Sequence, residues 1–172
     1  MNRNNEGSLT IEATIALSAF LFFLMFMANF GHIYSAQNFM THSLAQAGQL
    51  IAFSSYAYSK EGMIPSGAEI VEDLMMFAGV PVDGIVLKNG WKSKDYAGDV
   101  SHAAFNYCTG GSEDASNKAL EKYGIETLTF DGTTVADDDI KLRASYKIRI
   151  PFAFFGIEYI TMHQQIACRL WE

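Results

Sequence analysis

The sequence predicts an α+β protein in which a long amino-terminal helix, its first half in a membrane, packs on a small antiparallel β-sheet. Three observations carry that class. Residues 13–28, ATIALSAFLFFLMFMA, hold no charge and only Thr14 and Ser18 as polar side chains. The stretch that follows keeps apolar residues three or four apart without a proline before Pro65, so the helix continues and turns amphipathic. Near the other end Ile140, Leu142, Ala144, Tyr146, Ile148 and Ile150 alternate with Lys141, Arg143, Ser145, Lys147 and Arg149, the period-two pattern of a strand with one buried face.

Length and composition agree with this plan. The chain has 172 residues, 49% of them hydrophobic, which fits one membrane segment and one small globular domain better than two domains. Its 19 acidic and 12 basic residues leave a formal charge of −7, and a nucleic-acid binder needs a basic face that this balance does not provide.

The expected organisation is a leader over residues 1–7, a long helix over 8–58, and an exported α+β domain over 59–172. Extending the apolar run back to Leu9 gives about 20 residues, enough at ~1.5 Å per residue to cross a ~30 Å hydrocarbon core. After Arg3 no Lys or Arg occurs until Lys60, so the positive-inside rule leaves the amino terminus in the cytoplasm. A conventional secretory signal fits less well. Cleavage after Ala28 or Ala36 would put Phe26 or Tyr34 at a position that takes small residues, and Glu12 would lie inside the apolar region.

Glu12 is the one charge in that segment. A carboxylate costs about 2.5–3.5 kcal/mol at the centre of a membrane helix and less near the interface, so it either reaches the headgroups or meets a partner. Ala13, Ala16, Ser18 and Ala19 are small enough to let helices approach closely, and are equally the ordinary composition of a spanning helix. Beyond Ala28 the predicted stripe is Phe30, Ile33, Tyr34, Gln37, Met40, Leu44, Ala47, Leu50 and Ile51, with Gly31 and Gly48 as weak points in a helix reaching about Tyr56.

Ser66 to Glu69 has capping-box spacing and predicts a second helix ending by Gly79. The Asn89-Gly90 pair within 85–91 predicts a hairpin. Residues 92–112 read as polar and irregular, and 112–123 as a short helix stopped by Gly124. The strand over 140–150 takes residues 125–130 and 159–171 as its partners, joined through DGTTVADDD and PFAFFG. Such a sheet needs a helix over its apolar face, and the amphipathic half of the first helix supplies one.

Gly7-Ser8-Leu9-Thr10-Ile11-Glu12-Ala13, followed by the unbroken apolar run, resembles the class III signal of type IV pilin-like proteins, and in particular the start of the TadE-like family of Flp/Tad pilus assembly proteins. The carboxy-terminal Tyr146 to Phe152 and Arg169-Leu-Trp171 are similar to the last strands of that family. The resemblance covers roughly the first fifty and the last thirty residues, and the leader is the more specific part. It implies a pilin-like fold, cleavage by a prepilin peptidase between Gly7 and Ser8, and a Glu12 that neutralises the new amino terminus of a neighbouring subunit. The implied partners are the prepilin peptidase, other pilins, Tad inner-membrane assembly proteins and the lipid bilayer, with no cofactor. This chain departs from many relatives in carrying Ser18 near the place of their proline. A pseudopilin of a type II secretion or DNA-uptake machine shares the leader logic, and a membrane-anchored binding module shares the tether.

Motifs for chemistry are sparse. His102, Cys108, His163 and Cys168 are the residue types of a zinc site, but His163 and Cys168 are an odd number of residues apart on one strand and face opposite ways. A Cys108 to Cys168 disulfide is the more natural reading for an exported domain, with free buried thiols as its alternative. Asp137 to Asp139 lacks the glycine and closing glutamate of a calcium loop and reads as a solvated turn. His32 and His42, ten apart on a helix, lie about 80° from a common face. No nucleophile, phosphate loop or helical His pair has its required context, so the expected role is structural rather than enzymatic.

Overall fold

The computed structural model describes residues 3–59, 97–136, 139–154 and 156–169. The predicted helix over 66–79 and the hairpin over 85–91 lie outside them. Helix α1 runs unbroken over Arg3–Ser59. It is followed by α2, Ala97–Gly110, and α3, Glu113–Lys122. The strands are β1, Ile125–Thr129; β2, Thr134–Ala136; β3, Asp139–Phe154; and β4, Ile157–Arg169.

β3 is the centre of an antiparallel sheet. β4 pairs along one edge, from Asp139↔Arg169 to Arg149↔Tyr159. β1 and β2 occupy the other edge end to end, β1 opposite residues 145–148 and β2 opposite 139–141. The expected three-row sheet is therefore present, with its first row broken at Asp131-Gly132, where Gly132 takes φ 90.

One face of the sheet carries Ile140, Leu142, Ala144, Tyr146 and Ile148 of β3, all buried, with Met162, Ile166 and Cys168 of β4 packed beside them. α1 crosses this face with Ala36, Met40, Leu44, Ala47 and Ile51 fully buried. Met40, Leu44, Ala47 and Ile51 belong to the predicted stripe, which the structure changes at its start and at its small residues. Phe30 and Tyr34 are about 60% exposed, while the small residues Ala36, Ser43 and Gly48 lie in the seam, because close helix–sheet approach selects small side chains over large ones. A Cβ added to Gly48 would collide with Cys168 Sγ, so this glycine marks a close contact rather than a weak helical turn.

Helix α2 replaces the irregular stretch expected over 92–112. Its buried face is mostly small, with Ala97, Ser101, Ala103 and Ala104 around Val100 and Phe105, so the apolar periodicity is faint in sequence. Packing against α1 overrides that weak local signal. α3 begins where expected. Ser112 caps it by accepting from Ala115 N at 3.2 Å, and Gly124, at φ 65, ends it while its N–H donates to Glu121 O at 2.9 Å.

Candidate functional site

The groups that could carry function lie along α1 and where the β3–β4 hairpin meets it. α1 contains a segment long and apolar enough to cross a membrane: its best window has a mean hydropathy of 2.1, and none of that window is buried. Leu9, Ile11, Ile15, Leu17, Phe20, Phe22, Phe23 and Phe26 all stand exposed. A continuous apolar surface of this extent marks an interaction with lipid or with other apolar helices.

The Gly7–Ser8 peptide lies within α1, which begins at Arg3, so the helix starts earlier than the leader boundary read from sequence. Glu12 is exposed on the helix, at a shallow hollow formed with Ile11, Ile15 and Ala16. Thr14 and Ser18 donate their hydroxyls to the carbonyls of Thr10 and Thr14, each at 2.8 Å, which satisfies both polar side chains of the apolar run inside the helix.

Where the apolar run ends, α1 meets the hairpin. Asn29 is buried, its amide Nδ2 donates to Phe152 O at 2.8 Å, and its Oδ1 accepts from Phe152 N at 3.1 Å. The β3–β4 register shifts between Arg149 and Phe154, so Asn29 supplies to Phe152 the two bonds that a ladder partner would otherwise make. Sequence reading missed this clamp. Its only signal was an isolated Asn one residue beyond the apolar run.

Beside the clamp is an open cleft of about 740 Å³, lined by Phe22, Phe23, Phe26, Phe30 and Ile33 of α1 and by Ile150, Ile157 and Ile160 of the hairpin. Further along α1 the contacts to the sheet become polar. Gln37 Nε2 reaches Met162 Sδ at 3.3 Å, and Gln164 Nε2 donates to Thr41 Oγ1 at 3.0 Å.

The two cysteines are free thiols, which corrects the expected disulfide. Cys168 lies on β4 against Gly48 of α1, whereas Cys108 lies on α2, whose Phe105 and His102 pack on Phe130 beyond the opposite edge of β3. Burial pushes both thiols above their ordinary pKa, which keeps them protonated at neutral pH.

The four zinc-type residues are not brought together. His102 meets Phe130 edge-on, and His163 is on the outer face of the sheet, hydrogen-bonded to Ser145 Oγ at 2.8 Å. Among the described residues no three His, Cys, Asp or Glu side chains converge as metal ligands. His32 approaches Gly124, and His42 lies near Gln46 on the exposed side of α1. The acidic run contributes only Asp139, an exposed first residue of β3, to the described residues. No family model, curated protein or solved structure matches the chain.

Proposed function

We propose that this chain is a structural subunit of a Flp/Tad-type pilus, a TadE-like minor pilin anchored in the cytoplasmic membrane with its α+β domain outside. The observation that carries the reading is one continuous helix with two different halves. Its first half is apolar and exposed on every side, and its second half is the covering layer of a small antiparallel sheet. A tether followed by an unrelated domain needs no such continuity, whereas a subunit that moves from membrane to filament needs its globular part rigidly fixed to the packing helix.

In this reading a prepilin peptidase cuts between Gly7 and Ser8 on the cytoplasmic face. The bond lies near the start of α1, where unwinding a turn or two costs little, because helix ends open easily. Ser8 then carries a new amino group four residues before Glu12. A cation and an anion entering a low-dielectric bundle are far cheaper together than apart, so Glu12 of one subunit accepts the Ser8 ammonium of the next. Apolar faces of neighbouring helices replace lipid, and the close approach of small residues such as Ala13, Ala16 and Ala19 lets them pack. The mechanism is assembly by packing and charge pairing, with no reaction performed by the chain.

The pseudopilin of a type II secretion or DNA-uptake machine differs in its partners and not in this mechanism. The anchored binding module differs in mechanism, because its helix has no task beyond holding the domain at the membrane. Replacing Glu12 by Ala separates them. The pilin reading predicts a variant that inserts and folds but no longer co-purifies with filament subunits; full co-assembly of Glu12→Ala would rule out its proposed role.

A further inference from the structure

We propose that the tip of the β3–β4 hairpin is a second membrane contact, immersed in the interface of the outer leaflet, with phospholipid acyl chains filling the cleft between it and α1. The inference rests on the reading of residues 9–28 as the membrane span and adds to it a lipid-binding surface on the globular domain.

Position is the first argument. A span of about 20 residues at ~1.5 Å each fills a ~30 Å core, which sets the outer boundary of the hydrocarbon near Ala28 and Asn29. The cleft lies across that boundary: Phe22, Phe23 and Phe26 are below it, Phe30 and Ile33 above it, and Ile150, Ile157 and Ile160 form the opposite wall. Phe22 is six residues before Ala28, about 9 Å along the axis. The hairpin therefore runs back along the helix to a depth where water is absent if the helix spans.

The surface chemistry is the second. Phe152, Ile157 and Tyr159 are 42%, 53% and 43% exposed at the tip, on a hairpin whose other exposed side chains are largely polar or charged. Immersion demands that irregular backbone be satisfied from within the protein. This is what Asn29 does, taking both the N–H and the C=O of Phe152 where the strand ladder lapses.

The charges are the third argument, and they set the depth. Lys147 and Arg149 are exposed on the outer face of β3, and Arg149 pairs in register with Tyr159. With the tip immersed, these cations fall at the level of lipid phosphates, and Tyr159 takes the place that aromatic residues favour at interfaces. Glu158, exposed beside Ile157, keeps the tip shallow, since a carboxylate is tolerated near the headgroups and costly at the bilayer centre.

The test uses the full chain with Cys108→Ser and Cys168→Ala, reconstituted in vesicles of phosphatidylcholine and phosphatidylglycerol. A nitroxide is placed in turn on Leu17→Cys, Ile157→Cys and Asn117→Cys, the last on exposed α3. Spin-label accessibility to oxygen and to a water-soluble nickel chelate is then compared. The expected result is an oxygen-to-nickel ratio at 157 several-fold above that at 117 and approaching that at 17. A ratio at 157 equal to that at 117, with 17 still in lipid, overturns the hairpin inference and leaves the membrane span standing. Water access at 17 overturns both. Dipolar broadening between labels at 157 places a second copy in the cleft and overturns the lipid occupant. Should the cysteine-free background not fold, the chain with native cysteines and p-benzoylphenylalanine at Tyr159 gives the same decision. A photo-adduct with the mass of phospholipid supports immersion, and exclusive protein or water reaction overturns it.

Discussion

Gly48 and Tyr146 show how single side chains fix the fit of α1 on the sheet. Because a Cβ at Gly48 would meet Cys168 Sγ, Gly48→Ala should destabilise the domain by about 1–3 kcal/mol, the usual cost of overpacking. Removing the sulfur by Cys168→Ala should restore most of the loss, so a double-mutant cycle read by thermal melting in detergent should be strongly non-additive. Tyr146 is 1% exposed, its hydroxyl has no hydrogen-bond partner among the described residues, and burial pushes its pKa up to about 12. In the unfolded chain that phenol ionises near pH ~10, so between about pH 10 and 12 only the unfolded state is deprotonated. Stability should therefore be unaffected by this group below about pH 10 and fall as pH rises above it, at up to about 1.4 kcal/mol per unit. Tyr146→Phe should abolish that share of the alkaline loss and leave neutral stability equal or higher, because it removes a buried hydroxyl that has no partner among the described residues. Melts of both proteins at about pH 8 and about pH 11 check the sign.

The Asn29 clamp belongs to the scale of elements, since it holds the hairpin against α1. Asn29→Ala should cost about 1–3 kcal/mol, because it leaves the N–H and C=O of Phe152 unsatisfied where no strand partner replaces it. Amide exchange should rise over 150–160 while the α2–α3 region stays protected. At this scale legibility followed the strength of periodic signals. The long helix, the alternation over 140–150, both neighbouring strands and the Ser112 to Gly124 helix were readable because each has a clear period, a cap or a stop. α2 was not, because its buried face is built from Ala and Ser, which carry little hydrophobic contrast. On α1 the seam was legible at Met40, Leu44, Ala47 and Ile51 but not at Ala36 and Gly48, because Phe30 and Tyr34, which stand exposed, outweigh those small residues in a sequence pattern. The Asn29 to Phe152 contact joins residues 123 apart, a separation at which single-sequence patterns are silent. The state of Cys108 and Cys168 was not legible, because an even cysteine count says nothing of where each residue falls in the fold.

At the scale of the whole molecule, one rigid helix links an apolar, fully exposed half to the core of a small domain. That architecture suits the proposed subunit, in which the same apolar surface would serve lipid first and neighbouring helices afterwards. Cys108 and Cys168, half-buried and protonated, should react slowly with thiol reagents at neutral pH, and alkylation monitored by mass should speed up on unfolding. The claim on which the account turns is that residues 1–7 are a leader removed by a prepilin peptidase. Intact mass and amino-terminal sequence of the chain co-expressed with and without that peptidase test it most directly. The account predicts a mature chain beginning at Ser8, formed only with the peptidase and abolished by Gly7→Arg. A chain left uncut, or cut after Ala28 or Ala36, would contradict it.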